Sequence, residues 1–171
     1  MTQRIFGVAG WKNSGKTTLV ERLVAELSAR GFRVATVKHA HHSFDIDHEG
    51  TDSYRHRAAG AAEVAIVSGR RWALVHEIAE TEAEPDLAEI LARLSPCDIV
   101  IIEGYKRDGH KKIEVRRREA RDTAPLAPGD PTIVAVAADH PAAGEPLPVF
   151  DLNDIRAIAD FVEKECRLER P

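Results

Sequence analysis

Long apolar segments are absent from the sequence, and cysteine is scarce. The most apolar runs, residues 99–102 and 133–138, are far shorter than the ~18 residues that a membrane-spanning helix needs. The N-terminus has no apolar stretch of signal-peptide length. The two cysteines, Cys97 and Cys166, form no CxxC pair, so we expect free thiols rather than a disulfide framework or a zinc site. These absences predict a cytoplasmic protein without a membrane partner.

An excess of positive charge is also absent. The 171 residues carry 24 Lys+Arg against 28 Asp+Glu, a formal net charge of −4 at pH 7. Such a chain lacks the global basic field that draws proteins to nucleic acids, so we expect no nucleic-acid partner. Hydrophobic residues make up 43% and charged residues 30%, which is typical of a folded globular protein. The length predicts a single domain over residues 1–171.

Strand-like and helix-like segments alternate along the chain. The predicted strands are residues 4–9, 33–38, 63–68, 72–76, 98–103, 112–117 and 132–138, and the predicted helices are 16–30, 52–59, 86–94 and 153–166. This alternation is typical of an α/β fold with a mainly parallel sheet and helices on both faces. Gly69-Arg70 is predicted to close a hairpin. The alternating segment 112–117 is expected at a sheet edge.

A glycine-rich loop follows the first predicted strand. Residues 10–17, GWKNSGKT, match G-x-x-x-x-G-K-[ST] in full, and an amphipathic helix follows them. Glycines let successive N–H groups converge on an anion, and the start of the helix adds its positive dipole end. We therefore predict a phosphate loop, residues 10–17, in a P-loop NTPase-like fold. Lys16 is expected to reach the β- and γ-phosphates and Thr17 to bind Mg²⁺.

The magnesium site predicted at Thr17 also needs an acidic residue. Glu103 ends the apolar strand 98–103, at the sheet edge where ligands bind in open α/β sheets. Asp98 begins the same strand and is expected at the opposite edge. Glu103 is therefore the predicted carboxylate ligand of Mg²⁺.

Histidines are concentrated after the second predicted strand. Five of the eight lie between His39 and His56. One interpretation is a transition-metal site of imidazoles and carboxylates; another is a loop that contacts nucleotide, magnesium or substrate; a third is a solvated loop. In the second interpretation Asp47 helps to hold Mg²⁺ or the attacking water, and Lys38 neutralises phosphate charge.

Asp139 ends the apolar strand 132–138. A carboxylate there can accept hydrogen bonds from N1–H and N2–H₂ of guanine, groups that adenine cannot supply. The alternative is a plain strand-end turn formed with His140 and Pro141. Both interpretations stay open.

Several blocks together resemble the MobB family of molybdopterin guanine dinucleotide biosynthesis adaptors. The blocks are GWKNSGKTTL at 10–19, VKHAHH at 37–42, DHEGTDSYR at 47–55, AGA at 59–61, RRWAL at 70–74, DIVIIEGYK at 98–106, AVAADHP at 135–141 and DLNDI at 151–155. They span most of the chain in matching order. The loop alone is generic, whereas the KHxHH, GxDSY and EGYK blocks are specific.

The resemblance implies a protein that binds GTP and Mg²⁺ and assists the guanylyltransferase that joins GMP to molybdopterin. It further implies a homodimer, possible contact with molybdopterin, and a weak GTPase activity at most. The residues expected to bind phosphate are Gly10, Asn13, Ser14, Gly15, Lys16, Thr17 and Thr18. Together with Asp47, the residues Lys16 and Glu103 are the candidates for the hydrolytic step. His39, His41 and His42 map onto the family's histidine block without an assigned role.

A basic stretch, residues 106–121, carries eight basic and three acidic residues. Its charge makes it the candidate surface for the pterin phosphate or the partner enzyme. Two alternative functions stay open: an ATP-dependent small-molecule kinase with residues 116–118 as its lid, and a metallochaperone GTPase that uses the histidines 39, 41 and 42. Trp11 occupies the position after the first glycine where dimerising P-loop ATPases often carry a lysine. We therefore expect no contact in trans from Lys12.

Overall fold

The structure is a computed structural model and describes residues 4–40 and 44–169. His41 and His42, two members of the predicted histidine block, lie outside the described residues. The described chain forms two compact units: residues 4–39 with 94–169, and residues 40 with 44–93. Within the described ranges, no helix combines the length and the apolar character needed to span a bilayer. The single domain over residues 1–171 stays a prediction.

The first unit contains the phosphate loop and most of the regular elements. Its strands are β1 (Ile5–Ala9), β2 (Val34–Lys38), β5 (Ile99–Glu103), β6 (Lys112–Arg116), β7 (Ile133–Ala138) and β8 (Val149–Asp151), and its helices are α1 (Lys16–Ala29), α4 (Ile155–Cys166) and a 3₁₀ turn at Ala127–Gly129. The second unit contains α2 (Asp52–Ala58), β3 (Glu63–Val67), β4 (Trp72–His76) and α3 (Leu87–Arg93).

The six strands of the first unit form one parallel sheet in the order β2-β5-β1-β6-β7-β8. This confirms the predicted α/β fold with a mainly parallel sheet. Because all strands run the same way, their carboxyl ends meet at one edge, where the phosphate loop follows β1. The same edge carries the ends of β2, β5 and β7, which is why residues far apart in sequence can form one site there.

The expectation that residues 112–117 form an edge strand is wrong. β6 lies between β1 and β7. Its apolar residues Ile113 and Val115 belong to the core, while Lys112 and Glu114 are buried on the other side of the strand. Alternation of apolar and polar residues along a strand indicates that its two faces differ in chemistry. The polar face can still be buried when neighbouring loops supply hydrogen-bond partners for its side chains.

Helices α1 and α4 pack together on one face of the sheet. Leu19, Leu23 and Leu27 of α1 recur at intervals of four, so they share the helix face that meets the core. Ile158 and Val162 of α4 fill the neighbouring part of the same core. The sequence offers Asp151 or Asn153 as N-cap of this helix, but α4 begins later, at Ile155. Asp154 is the N-cap, and its carboxylate accepts a hydrogen bond from the N–H of Ala157 at 3.1 Å.

The second unit is built around a hairpin. β3 and β4 pair in antiparallel register, and residues 68–71 close the turn, which confirms the predicted hairpin. Thr51 caps α2 by accepting a hydrogen bond from the N–H of Tyr54 at 3.2 Å. Several large apolar side chains of this unit are exposed: Phe44, Ile46, Ile66, Val67, Trp72, Leu74 and Ile78.

Candidate functional site

The backbone of the phosphate loop adopts conformations that its sequence allows. Gly10, Asn13 and Gly15 have φ of 152°, 65° and 90°, and asparagine and glycine tolerate such values better than other residues. A Cβ on Gly10 would lie 2.5 Å from Oγ of Ser14 and 2.8 Å from the carbonyl oxygen of Val115. No larger residue fits at Gly10, so the tight path of the loop depends on this glycine.

Helix α1 begins directly after the loop, at Lys16. No described side chain caps its N-terminus, and its first turn contains no acidic residue. The positive end of the helix dipole is therefore left for an anion. The Lys16 ammonium folds back over the loop and donates a hydrogen bond to the carbonyl of Trp11 at 2.6 Å.

Ser14 provides a direct test of whether an anion fits the loop. Its side chain is only 1% exposed, and its Oγ has no hydrogen-bond partner among the described residues. Buried hydroxyl groups are almost always satisfied in folded proteins. An unpaired hydroxyl beside Gly10, inside a loop with a free helix N-terminus, fits a bound phosphate oxygen.

Thr17 and Glu103 lie in contact beside the loop. The Thr17 hydroxyl is 3.0 Å from Oε1 and 3.2 Å from Oε2 of Glu103. The Lys38 ammonium lies 3.7 Å from the same carboxylate. Strand register causes this meeting, because Glu103 is paired with Lys38 of β2 and Val8 of β1. A hydroxyl and a carboxylate are oxygen ligands of the kind that Mg²⁺ prefers, so these residues fit a magnesium ion.

Burial lowers the pKa of Lys16, and the nearby ammonium of Lys106 lowers it further, while Glu103 acts in the opposite direction. A nearby negative charge, such as that of a phosphate, stabilises the protonated form of a lysine in this environment. The structure thus brings Lys16, Thr17, Lys38 and Glu103 together.

A cavity of about 240 Å³ opens on the other side of the loop. It is lined by Gly15, Thr18, Leu19, Arg22, Arg117, Asp139, Leu152 and Asn153. Asp139 accepts hydrogen bonds from Nδ1–H of His140 at 2.7 Å and the N–H of Arg118 at 3.1 Å. These hydrogen bonds lower the pKa of Asp139, and the bond from His140 has the largest effect. An ionised carboxylate therefore borders a cavity that begins at the phosphate loop, and the strand-end bond with His140 coexists with it.

The sequence reasoning did not place two arginines, Arg22 and Arg117, beside the phosphate loop. The Cδ of Arg117 would lie 3.0 Å from a Cβ on Gly15, so its side chain extends along the loop. Arg22 donates to the carbonyls of Leu152 at 3.3 Å and Asn153 at 2.7 Å. Arg22 follows Thr18 by one helical turn, and this spacing is the signal that could have identified it.

Asp47 lies in the second unit, among residues of its own turn. Its Oδ1 accepts hydrogen bonds from Thr51 at 2.7 Å, Ser53 at 3.0 Å and the N–H of His48 at 3.0 Å. These bonds, that of Thr51 first, lower its pKa. Arg57 lies 3.6 Å from its Oδ2. Asp47 therefore shapes the turn before α2, and its role toward Mg²⁺ stays a prediction.

The basic stretch is not a uniform surface. Lys112 is fully buried and donates to Thr132 at 2.6 Å. The Arg116 side chain is 11% exposed and pairs with Glu114 at 2.7 Å and Glu145 at 2.6 Å. Lys112 and Arg116 are therefore wrong as members of the predicted partner surface, because their charges are already compensated inside the fold. A mobile lid that includes Arg116 is excluded for the same reason.

The described residues do not support the interpretation of the histidine block as a transition-metal site. Over residues 4–40 and 44–169, no group of three His, Cys, Asp or Glu side chains is arranged to hold a metal ion. The ring of His39 lies 4.7 Å from that of Tyr105. The predicted contributions of His41 and His42 fall outside the described residues.

Sequence comparison places most of this chain within a described family. Residues 5–139 match the family model described as "Molybdopterin guanine dinucleotide synthesis protein B", MobB. Two relatives named molybdopterin-guanine dinucleotide biosynthesis adapter protein are each 38% identical. The one from Haemophilus influenzae aligns over 159 residues, 93% of this chain and 87% of its own. The one from Escherichia coli K12 aligns over 160 residues, which are 92% of this chain and 90% of its own.

Solved structures show the same similarity in three dimensions. A crystal structure of molybdopterin-guanine biosynthesis protein B is 30% identical, with a TM-score of 0.72 over 95% of this chain and 99% of that one. The crystal structure of Bacillus subtilis MobB is 26% identical, with a TM-score of 0.73 over 98% and 99%.

Proposed function

The chain belongs to the molybdopterin guanine dinucleotide synthesis protein B (MobB) family, and from this membership we propose that it is a GTP-binding adapter in molybdenum cofactor biosynthesis. Its partner is the guanylyltransferase that attaches GMP to molybdopterin. The observation that carries the nucleotide-binding part is the contact of Thr17 with Glu103, at 3.0 Å, beside a phosphate loop with an unpaired buried hydroxyl.

The phosphates of GTP are held by the phosphate loop and by the first turn of α1. The main-chain N–H groups, the Ser14 hydroxyl and the Lys16 ammonium supply the contacts, with Lys38 as a further positive charge. The residues in these roles are Gly10, Asn13, Ser14, Gly15, Lys16, Thr17, Thr18 and Lys38. Thr17 and Glu103 hold Mg²⁺, which when bound neutralises part of the phosphate charge.

The guanine base occupies the cavity that Asp139 borders. The cavity is lined by Gly15 and Thr18 of the loop region as well as by Asp139, which supports a nucleotide whose phosphates and base contact neighbouring parts of one site. The ionised Asp139 accepts from N1–H and N2–H₂ of guanine. This arrangement favours GTP over ATP, because adenine presents no such pair of donors.

Hydrolysis is slow in this proposal. Lys16 and Glu103 stand at the phosphate site, and Asp47 is the candidate that orients water. The proposal therefore includes at most a weak GTPase activity. The role of an adapter does not require rapid turnover.

A second copy of this chain covers the exposed apolar side of the β3–β4 hairpin. Trp72 is 67% exposed there, and large exposed apolar patches mark interaction surfaces. The proposal of a homodimer is tested by sedimentation of wild-type protein and of the double variant Val67→Glu/Trp72→Lys. A monomeric variant beside a dimeric wild type supports it; a wild-type monomer overturns it.

The free cysteines Cys97 and Cys166 support a cytoplasmic location.

Calorimetric titration with GTP and ATP, each with and without Mg²⁺, tests the nucleotide site. We expect GTP to bind more tightly than ATP, and Mg²⁺ to strengthen the binding. Inosine triphosphate lacks the 2-amino group, so it should bind to the wild type more weakly than GTP does. In Asp139→Asn this difference between inosine triphosphate and GTP should disappear. Failure of wild type to bind GTP, or equal binding of GTP and ATP, contradicts the proposal.

Pull-down of the guanylyltransferase tests the adapter role. Arg118 and Arg121 are the exposed members of the basic stretch to reverse, since Arg116 is held inside the fold. Arg118→Glu/Arg121→Glu should weaken the association at low salt. Unchanged association would move the partner surface elsewhere, and no association of wild type would remove the adapter role.

A further inference from the structure

Lys106 lies against the phosphate loop rather than in open solvent. Its ammonium is 4.9 Å from the centroid of the Trp11 ring, the second residue of the loop. Lys106 follows Glu103 by three positions, so it belongs to the segment that leaves the end of β5. The contact between Lys106 and Trp11 therefore connects this segment to the phosphate loop, in addition to the pairing of β1 with β5.

The backbone after β5 is shaped to bring Lys106 back. Gly104 and Tyr105 both have positive φ, 101° and 46°, so the chain reverses immediately after Glu103. A Cβ on Gly104 would lie 2.8 Å from the Cβ of His39, so only glycine permits this close turn. The position of Lys106 is therefore set by main-chain geometry as well as by its side chain.

The charges around Glu103 do not balance. Lys38 lies 3.7 Å from this carboxylate, and both Lys38 and Lys106 act on Lys16 through space. Within the described part of the chain, this cluster thus sets three ammonium groups against one carboxylate. The ammonium groups of such a cluster repel one another, and a bound anion would relieve this repulsion.

We propose that Lys106 is a further phosphate-binding residue, whose ammonium moves from the face of Trp11 to the terminal phosphate of bound Mg·GTP in the same chain. The inference rests on the proposed function. The strand order supports the terminal phosphate as its target, because β5 and the Asp139 cavity lie on opposite sides of β1. A cation on a partly exposed aromatic face is held weakly, whereas an ammonium–phosphate bond is among the strong hydrogen bonds.

Affinity for GTP compared with GDP tests this role. Lys106→Met should weaken Mg·GTP binding about tenfold, the expected loss of one charged hydrogen bond, and change GDP binding by less than about twofold because the terminal phosphate is missing. Arg107→Met removes an equal charge from the neighbouring exposed residue and should change neither. Unchanged GTP affinity in Lys106→Met, or equal losses for GTP and GDP, overturns the inference. If wild type binds no Mg·GTP, the proposed function fails as well, so the two failures are distinguishable.

Fluorescence of Trp11 provides a second readout that does not depend on hydrolysis. The chain has two tryptophans, so Trp72→Phe leaves Trp11 as the sole reporter. Departure of Lys106 from its ring should make Mg·GTP change the emission more than GDP does, and Lys106→Met in the same background should abolish that difference. An identical response with and without Lys106 refutes the movement.

Discussion

The Thr17 hydroxyl donates to Oε1 of Glu103 at 3.0 Å, across 86 positions of sequence. The parallel pairing of β1 with β5 places Glu103 opposite Val8, and the loop that follows β1 returns Thr17 to the same edge. The fold therefore brings the two side chains together. Such preorganisation lowers the cost of assembling a magnesium site from distant segments.

Removal of either group should uncouple nucleotide binding from magnesium. In Thr17→Val the hydroxyl is lost while the branched shape is kept, and in Glu103→Gln the charge is lost while the size is kept. Because each variant lacks one oxygen ligand, Mg²⁺ should no longer improve GTP affinity, a loss of about tenfold or more. Calorimetry over a Mg²⁺ series measures this. Wild-type magnesium dependence in both variants would place the ion elsewhere.

Lys16→Ala should weaken GTP binding strongly and leave the fold intact. The ammonium is the charged donor of the phosphate loop, so its loss should cost at least about tenfold in affinity. Burial lowers the pKa of Lys16, which means that its charge is held at some cost to the free protein. Thermal unfolding of the variant should therefore occur at the wild-type temperature or slightly above it. A variant that keeps wild-type GTP affinity contradicts the site.

Local patterns predicted the parts of the site that depend on neighbours in sequence. The phosphate loop, the helix after it and Glu103 at a strand end all follow from short motifs whose structural setting is nearly invariant. The mainly parallel sheet likewise follows from alternating strands and helices. These features need no knowledge of which distant segments meet.

Arg117 and Lys106 could not be assigned in this way. Both were counted within one basic stretch, yet Arg117 extends along Gly15, Lys106 lies over Trp11 and Lys112 is buried. Charge density along a sequence does not tell which side chains a fold will bury or direct to a loop. That distribution depends on strand order and register, which are long-range properties.

His110 should make the protein less stable in mild acid. Burial of its ring, and next the ammonium of Lys112, lowers the pKa of His110 to about 4, whereas an unfolded histidine titrates near ~6.5. As pH falls from about 6.5 to about 4, the unfolded chain binds a proton that the folded chain does not. The free energy of unfolding therefore decreases over this interval through His110, while Asp108 and Asp130 partly oppose the effect.

His110→Phe tests this pH dependence. Neither ring nitrogen of His110 has a hydrogen-bond partner among the described residues, so an apolar ring of similar shape removes no bond. Denaturant unfolding at several pH values should show a flatter decline for the variant below pH ~6.5 and parallel curves above it. Identical slopes across the whole range would mean that the histidine titrates alike in both states.

Removal of the Glu114 charge should destabilise the fold. It is 1% exposed and accepts hydrogen bonds from the N–H groups of Leu126 at 2.8 Å and Ala127 at 3.0 Å, and from Arg116 at 2.7 Å. Glu114→Ala leaves two partly buried main-chain N–H groups without their acceptor and removes one of the two carboxylates that pair with Arg116, so the free energy of unfolding should fall by about 3 kcal/mol. Glu119, whose side chain is 82% exposed beside Arg117, is the control, and its alanine variant should cost less than about 1 kcal/mol. Urea unfolding compares the two; equal small losses would show that the loop at residues 126–127 is held to β6 without the carboxylate.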